Sequence, residues 1–195
     1  MSYTLYGSVR SRAFRVLWML EELGVPFTHV PAGPQSEEVR QVSPLGKVPV
    51  LVEGDMVIPD SSAILTYLAD KHGAFTAPAG TQERARQDAW TFRILDEIEG
   101  QLWTAAKHTF VLPEAERVPE VKSACRAEYA RNLEKIMAEA ADPYLMGDDI
   151  SVPDFILCHC GGWAQNASFP EAPEAFRAYV KRLRSREPFQ RAAAR

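Results

Sequence analysis

Two short segments carry residue types suited to binding a peptide-like ligand, and the first is Lys47-Val48-Pro49. Proline has no amide hydrogen and is normally excluded from the interior of a sheet. Here it interrupts residues 47–52, whose other members predict a buried strand. A trans proline on an edge strand would explain this pattern. A cis Val48–Pro49 bond, the rarer form, is the other explanation, and it would turn the backbone of Val48 outward to pair with a bound peptide as a short extra strand.

The second segment is Asp60-Ser61, at the predicted start of a helix. Free amides at a helix start attract anions, and Ser61 could both cap the helix and donate a hydrogen bond to a carboxylate. Asp60 beside it suits an ammonium group. The pair therefore fits a ligand with an α-amino and an α-carboxylate group together, as in a γ-glutamyl group, although a plain helix cap would use the same residues.

Length, composition and charge limit the class of protein. The chain has 195 residues, of which 46% are hydrophobic, enough for one large domain or two small ones. The net charge of −4 and the lack of a long basic stretch argue against a nucleic-acid partner. No apolar run reaches the roughly 18 residues of a membrane span, and no signal-peptide pattern opens the chain. We therefore expect a cytoplasmic protein without membrane contact.

The three cysteines, Cys125, Cys158 and Cys160, all lie in the second half of the chain. An odd number without the spacing of a disulfide framework predicts reduced thiols in the cytosol. Cys158-His159-Cys160 invites a metal interpretation, but two ligands one residue apart on a helix cannot both face one ion. Structural zinc also needs four well-spaced ligands. We predict buried, unreactive thiols and no metal.

The elements that must position the two segments follow a βαβ–ββα order. Residues 3–6, 27–30, 47–52 and 56–59 have strand patterns, and residues 11–23, 37–42 and 61–72 have helical ones. A strand, a helix and a strand in that order predict a parallel crossover unit.

The second half of the chain has helical periodicity and no convincing strand. Residues 75–82 contain Pro78 and Gly80 and predict a linker. A helix beginning after Ser151 has a capping box formed with Asp154, and a hydrophobic staple. Further helices are predicted over residues 85–107, 119–141 and 173–185.

These motifs, in this order and spacing, resemble those of the glutathione S-transferase family over essentially the whole chain. The most specific stretches are residues 43–51 and 60–68, followed by the box at Ser151–Asp154. The resemblance implies a thioredoxin-like glutathione-binding domain over residues 1–76 and an all-α helical domain over residues 84–195. It also implies a cytosolic, bacterial-type homodimer that uses glutathione as a co-substrate and needs no cofactor.

The resemblance also implies roles for individual residues. The backbone of Val48 would pair with the cysteinyl unit of glutathione, and Pro49 would be cis. Asp60 and Ser61 would hold the γ-glutamyl end, and Lys47 would lie near the glycyl carboxylate or the backbone beside it. The candidates for the electrophile pocket, near the end of the first long helix of the second domain, are Trp103, Lys107, His108 and Phe110.

Two residues are candidates for activating the thiol. Ser11 lies where the first strand gives way to the first helix, as in theta-type enzymes, and is the favoured candidate. Tyr6 ends the first strand, as in tyrosine-using members, and residues 6–12 also resemble a pi-type start in which the residue at Arg12 contacts glutathione. The chain departs from both patterns, because no proline follows Ser11 and a serine replaces the glycine between the two arginines, Arg10 and Arg12.

Arg10, Arg12 and Arg15 crowd the start of this first helix. Cations there oppose the helix dipole. Solvated side chains would make the cluster tolerable, and a bound anion would make it favourable.

The implied function is attack of the glutathione thiolate on small hydrophobic electrophiles, a detoxification reaction, by conjugation or peroxide reduction. One alternative is a zeta-like glutathione-dependent isomerase, whose two serines and a cysteine at the helix start are not matched by Ser11-Arg12-Ala13. Another is a non-catalytic module that binds glutathione or a protein. A disulfide reductase is disfavoured, because residues 1–76 contain no cysteine.

Overall fold

The computed structural model describes residues 2–195, which form two compact units. The first unit contains the chain up to Ala79 together with Arg182–Arg195, and the second contains Gly80–Lys181. The sequence-based division instead assigned all of residues 84–195 to the helical domain. The difference arises because residues 182–195 pack with the first unit, a long-range contact that periodicity does not reveal.

The first unit is built on a four-stranded mixed sheet with strand order β2-β1-β3-β4. Its strands are β1 (Tyr3–Tyr6), β2 (Phe27–Val30), β3 (Val50–Glu53) and β4 (Met56–Pro59), and its first three helices are α1 (Ala13–Leu23), α2 (Glu37–Val42) and α3 (Ser61–His72). β1 pairs in parallel with β2 and antiparallel with β3, which pairs antiparallel with β4. This is the thioredoxin-like βαβ–ββα order that the sequence predicts.

The first two turns of helix α1 are buried on all faces. Each residue from Ala13 to Leu20 is buried. Val16, Leu17 and Leu20 form one apolar face of the helix, and Phe14, Trp18 and Met19 supply apolar side chains on the others. Apolar side chains on several faces require other elements to enclose the helix, and the charged Arg15 is buried among them.

Part of that enclosure comes from a short C-terminal helix, α9 (Glu187–Ala193), which the sequence analysis did not predict. The ring of Phe189 packs edge-on against Phe14, with centroids 4.9 Å apart, and against Trp18 at 5.1 Å. Aromatic pairs at such separations contribute beyond the area that they bury.

Ion pairs join the end of α1 to the same C-terminal segment. Arg186 Nη2 lies 2.7 Å from Glu22 Oε2, and Arg191 Nε and Arg195 Nη2 lie 2.9 Å and 2.6 Å from carboxylate oxygens of Glu21. Burial alone would raise the pKa of the Glu21 carboxyl, but the hydrogen bonds and positive charges of Arg191 and Arg195 outweigh burial, so the pKa is lower than usual. The arginines thus offset two acidic side chains at the helix end where the dipole disfavours them.

The second unit is helical. Its helices are α4 (Gln82–Arg93), α5 (Gly100–Ala106), α6 (Val121–Glu139), α7 (Val152–Asn166) and α8 (Glu174–Arg184), the last of which ends in the first unit. The single helix predicted over residues 85–107 contains a π-helical turn, Ile94–Glu99, between α4 and α5, and a second, Lys107–Val111, follows α5. Such turns are frequent at functional sites.

The predicted capping box at the start of α7 is confirmed. The amide and hydroxyl of Ser151 both donate to Asp154 Oδ2 at 2.8 Å. The Leu145 amide and the Tyr179 hydroxyl donate to Oδ1 at 3.0 Å and 2.8 Å. Burial raises the pKa of the Asp154 carboxyl despite these donors. The box therefore ties the start of α7 to the preceding loop and to α8.

The three cysteines are buried, as predicted, and form no disulfide bond with one another. Within residues 2–195, no helix combines the length and apolarity needed to cross a membrane, and no three His, Cys, Asp or Glu side chains lie close enough together to hold a metal ion.

Candidate functional site

The Val48–Pro49 peptide bond is cis, as one of the two sequence-based alternatives requires. Pro49 is buried, β3 begins only at Val50, and Val50 pairs with Tyr6 of β1. Val48 is half-exposed, and its main chain makes no hydrogen bond to any of residues 2–195. An unpaired main chain beside an ordered strand is what an extended peptide ligand needs for pairing.

A tight turn after β1 brings the start of α1 close to Val48. The Gly7 amide donates to Val30 O at 3.0 Å, and His29 Nε2 donates to Gly7 O at 2.8 Å. Gly7 has φ +140°, and a Cβ built on it would lie 2.5 Å from Ala13 Cβ and 3.3 Å from Val48 Cβ. Only glycine allows both this backbone conformation and this approach.

Ser11 lies in this turn, two residues before α1. Its hydroxyl donates to Ser8 O at 2.8 Å and accepts from the Ala13 amide at 3.1 Å. The hydroxyl oxygen therefore accepts from the first amide of α1, but the hydroxyl hydrogen is directed at a main-chain carbonyl. Tyr6 is half-buried at the end of β1 and lies on the face of the strand opposite to the buried Tyr3 and Leu5.

The start of α3 differs in one respect from the sequence analysis, because the helix cap is Asp60 and not Ser61. Asp60 Oδ1 accepts from the amides of Ser62 and Ala63 at 2.8 Å and 3.1 Å. The exposed Asp60 has a positive φ of 77°. Ser61 is 1% exposed, and its Oγ accepts a hydrogen bond from Arg15 Nη1 at 3.3 Å.

The other cationic candidates in the first unit are more accessible. Lys47 and Arg10 are exposed and Arg12 is half-buried. The structure thus separates three arginines that the sequence places together: only Arg15 is buried, and it reaches the start of α3.

The proposed electrophile-pocket residues lie within eight positions of one another in the second unit. Trp103 is in α5, and Lys107, His108 and Phe110 form part of the second π-helical turn. His108 Nδ1 accepts from the Val118 amide at 3.0 Å, which ties this turn to the segment before α6. Phe110 is 68% exposed.

Comparison with known proteins agrees with this architecture. Residues 5–79 match the family described as Glutathione S-transferase, N-terminal domain. A zeta-class glutathione S-transferase of Euphorbia esula is 31% identical over 163 residues, which cover 78% of this chain and 72% of the relative. The chain belongs to the glutathione S-transferase family.

Solved structures of other transferases extend the similarity to both units. The ternary complex of BphK, a bacterial transferase, has a TM-score of 0.86 and 25% identity, with 98% of each chain covered. The theta-class enzyme of Xanthomonas axonopodis pv. citri, with glutathione bound, has a TM-score of 0.78 and 28% identity, with 97% of this chain and 96% of that chain covered.

The sequence analysis did not single out Gly7 and His29, and it treated Arg15 only as one member of a cluster. A sequence signal existed for Arg15, because it lies within an otherwise apolar run, residues 13–20, and is thereby predicted to be enclosed. Gly7 and His29 gave no such signal, since their contacts join positions far apart in the chain.

The close approach at Gly7 predicts that Gly7→Ala will harm this transferase. The added methyl group must displace the start of α1 or the Val48 loop, and the backbone conformation is strained for alanine. We expect a loss of about 2 kcal/mol in the free energy of unfolding in urea, together with weaker glutathione binding by calorimetry. Gly33→Ala is the matched control, because nothing lies within 4 Å of its added Cβ. Equal stability of the two variants would contradict the prediction.

Proposed function

We propose that this transferase binds glutathione along the main chain of Val48 and directs its thiolate at small hydrophobic electrophiles. The observation that carries the proposal is the unpaired main chain of Val48, which immediately precedes the cis Pro49 and lies close to the turn that holds Ser11. The relationship to a theta-class enzyme with bound glutathione supports the same ligand.

Each end of the tripeptide has a complementary group in the first unit. The helix cap uses only Oδ1 of Asp60, so Oδ2 is available to the γ-glutamyl ammonium group. The Ser61 hydroxyl is a donor for the α-carboxylate beside that ammonium group. Lys47 and Arg12 supply positive charge for the glycyl carboxylate.

Ser11 would activate the thiol by donating its hydroxyl hydrogen to the thiolate in place of Ser8 O. A free thiol with a pKa of about 8.5 is roughly 3% ionised at pH 7, and lowering the pKa by about two units ionises roughly 75%. Nucleophilicity falls with pKa at a slope of about 0.4–0.5, so the net gain is only about threefold. Most of the rate enhancement must therefore come from orienting the two substrates.

The second substrate would occupy a pocket lined by residues of the second unit. Trp103 and Phe110 offer apolar surface, and Lys107 and His108 offer polar groups. The thiolate sulfur forms a bond to the electrophilic carbon, and the leaving group departs with its electron pair. The same activated sulfur could instead attack a peroxide oxygen.

Replacing the activating hydroxyl should raise the pKa of the bound thiol. For Ser11→Ala we expect the thiol pKa, measured from thiolate absorbance against pH, to rise by about one to two units, and kcat/KM with an aryl halide at pH 7 to fall by at least about threefold. Thr28→Ala, at an exposed position of β2, is the control.

The companion variant Tyr6→Phe tests whether Tyr6 activates the thiol in place of Ser11, or whether neither residue does. A raised thiol pKa in Tyr6→Phe and an unchanged one in Ser11→Ala would transfer the role to the tyrosine. Trace turnover unchanged in both variants, with glutathione still bound, would favour the non-catalytic module.

A glutathione-dependent isomerase is a second candidate, favoured by the 31% identity to a zeta-class relative. Against it, Arg12 and Ala13 follow Ser11 where the zeta signature has a serine and a cysteine. Conjugation consumes one thiol per turnover, whereas isomerisation returns it. We expect thiol titration to show loss of glutathione equal to the product formed from halides and epoxides, and product formation without thiol loss would favour the isomerase.

We also propose a homodimer, because each unit exposes large apolar side chains. Leu45 in the first unit is 67% exposed and Phe92 in the second is 66% exposed. The family resemblance implies a two-fold dimer in which the first domain of one subunit packs on the second domain of its partner. Sedimentation should give about twice the chain mass of 21.8 kDa. Leu45→Glu should shift the protein toward monomer and Thr28→Glu should not, and a monomeric wild type would refute the proposal.

A further inference from the structure

Arg15 is a charged residue with no exposed surface, located in the first half of α1 between Phe14 and Val16. Burying a charge is costly unless the structure uses it or compensates it. The guanidinium reaches from α1 to the start of α3, where Nη1 lies 3.3 Å from Ser61 Oγ. Ser61 is itself 1% exposed.

The direction of this hydrogen bond is fixed by chemistry. A guanidinium group has donors only, so the Ser61 oxygen must accept. The hydroxyl hydrogen of Ser61 is therefore free to rotate toward a different acceptor. A nearby cation also makes that hydroxyl a better donor, because hydrogen bonds in a chain polarise one another.

We infer that Arg15 is a positioning residue for the α-carboxylate of the γ-glutamyl group. Arg15 orients the Ser61 hydroxyl so that the hydroxyl donates to that carboxylate, and it places a buried positive charge next to the Ser61 oxygen. The inference rests on the proposed function, since it requires the γ-glutamyl end of glutathione to lie at Ser61. Asp60 serves the ammonium group, so the Arg15–Ser61 pair and Asp60 recognise the two charged groups on one carbon atom of the ligand.

The other arginines near the start of α1 are less suited to this role. Arg10 is exposed and Arg12 is half-buried, so water and salt screen their charges. The charge of Arg15 is shielded from solvent, and its interaction with a carboxylate is correspondingly stronger.

The test uses three tripeptides that differ only at that carbon atom. Glutathione has both charged groups, 4-aminobutyryl-cysteinylglycine lacks the α-carboxylate, and glutaryl-cysteinylglycine lacks the α-amino group. Affinities are measured by calorimetry on the full-length protein. The carboxylate ratio is defined as the affinity for glutathione divided by that for 4-aminobutyryl-cysteinylglycine, and the amino ratio is defined in the same way with glutaryl-cysteinylglycine.

We expect a carboxylate ratio of about 10 to 100 for the wild type, as for a hydrogen bond to a charged group. Arg15→Met should reduce this ratio to near 1 and leave the amino ratio unchanged. Arg10→Met, which removes the same charge from an exposed position, should preserve both ratios. Ser61→Ala should also reduce the carboxylate ratio, and the double variant should be no worse than the poorer single variant, because the two residues act through one hydrogen bond.

Other results would overturn the inference. Equal weakening of all three ligands in Arg15→Met would show that Arg15 only maintains the fold. Arg15→Met changes a buried residue and the variant could fail to fold. In that case Ser61→Ala provides the test, because an unchanged carboxylate ratio in Ser61→Ala excludes any action of Arg15 through the Ser61 hydroxyl. A wild type that binds glutathione with a carboxylate ratio of 1 refutes this inference alone. A wild type that binds none of the tripeptides refutes the proposed function as well.

Discussion

The burial of α1 on all sides is the constraint on which the candidate site depends. Every residue from Ala13 to Leu20 is enclosed, so the helix cannot shift without exposing apolar surface or creating voids. The Ser11 hydroxyl accepts from the first amide of this helix, and Arg15 extends from the helix to Ser61. The aromatic contacts of Phe189 and the ion pairs at Glu21 and Glu22 hold the far end. The polar groups of the site thus take their positions from an apolar helix.

Much of the site is made from main chain and helix caps, and this explains its dependence on unusual backbone conformations. The main chain of Val48, which precedes the cis Pro49, is unpaired within residues 2–195, and Gly7 permits the turn that brings α1 close to it. Asp60 caps α3 from a positive φ. The family-specific chemistry of such a site can vary through a few side chains while the peptide-binding backbone stays the same.

The sequence predicted local features well and long-range contacts poorly. The strands at Tyr3–Tyr6 and Phe27–Val30, and the capping box at Ser151, depend on neighbouring residues, and all are observed. The cis bond at Pro49 was one of two alternatives that residue spacing could not separate. The burial of Arg15 and the packing of α9 were missed, because they depend on contacts between segments far apart in the chain. The helix cap is Asp60 and not Ser61, a difference of one residue in the position of the helix start, and periodicity does not resolve a helix boundary to one residue.

The assignment of residues 182–195 to the first unit makes that unit discontinuous along the chain. On the ribosome, β1 to α3 emerge before α9, and the aromatic surface of Phe14 and Trp18 remains uncovered until Phe189, more than a hundred residues later in the chain, has been synthesised. The nascent first unit therefore has an exposed apolar face while the second unit is being translated. A chaperone that recognises exposed aromatic side chains would find its target there during that interval.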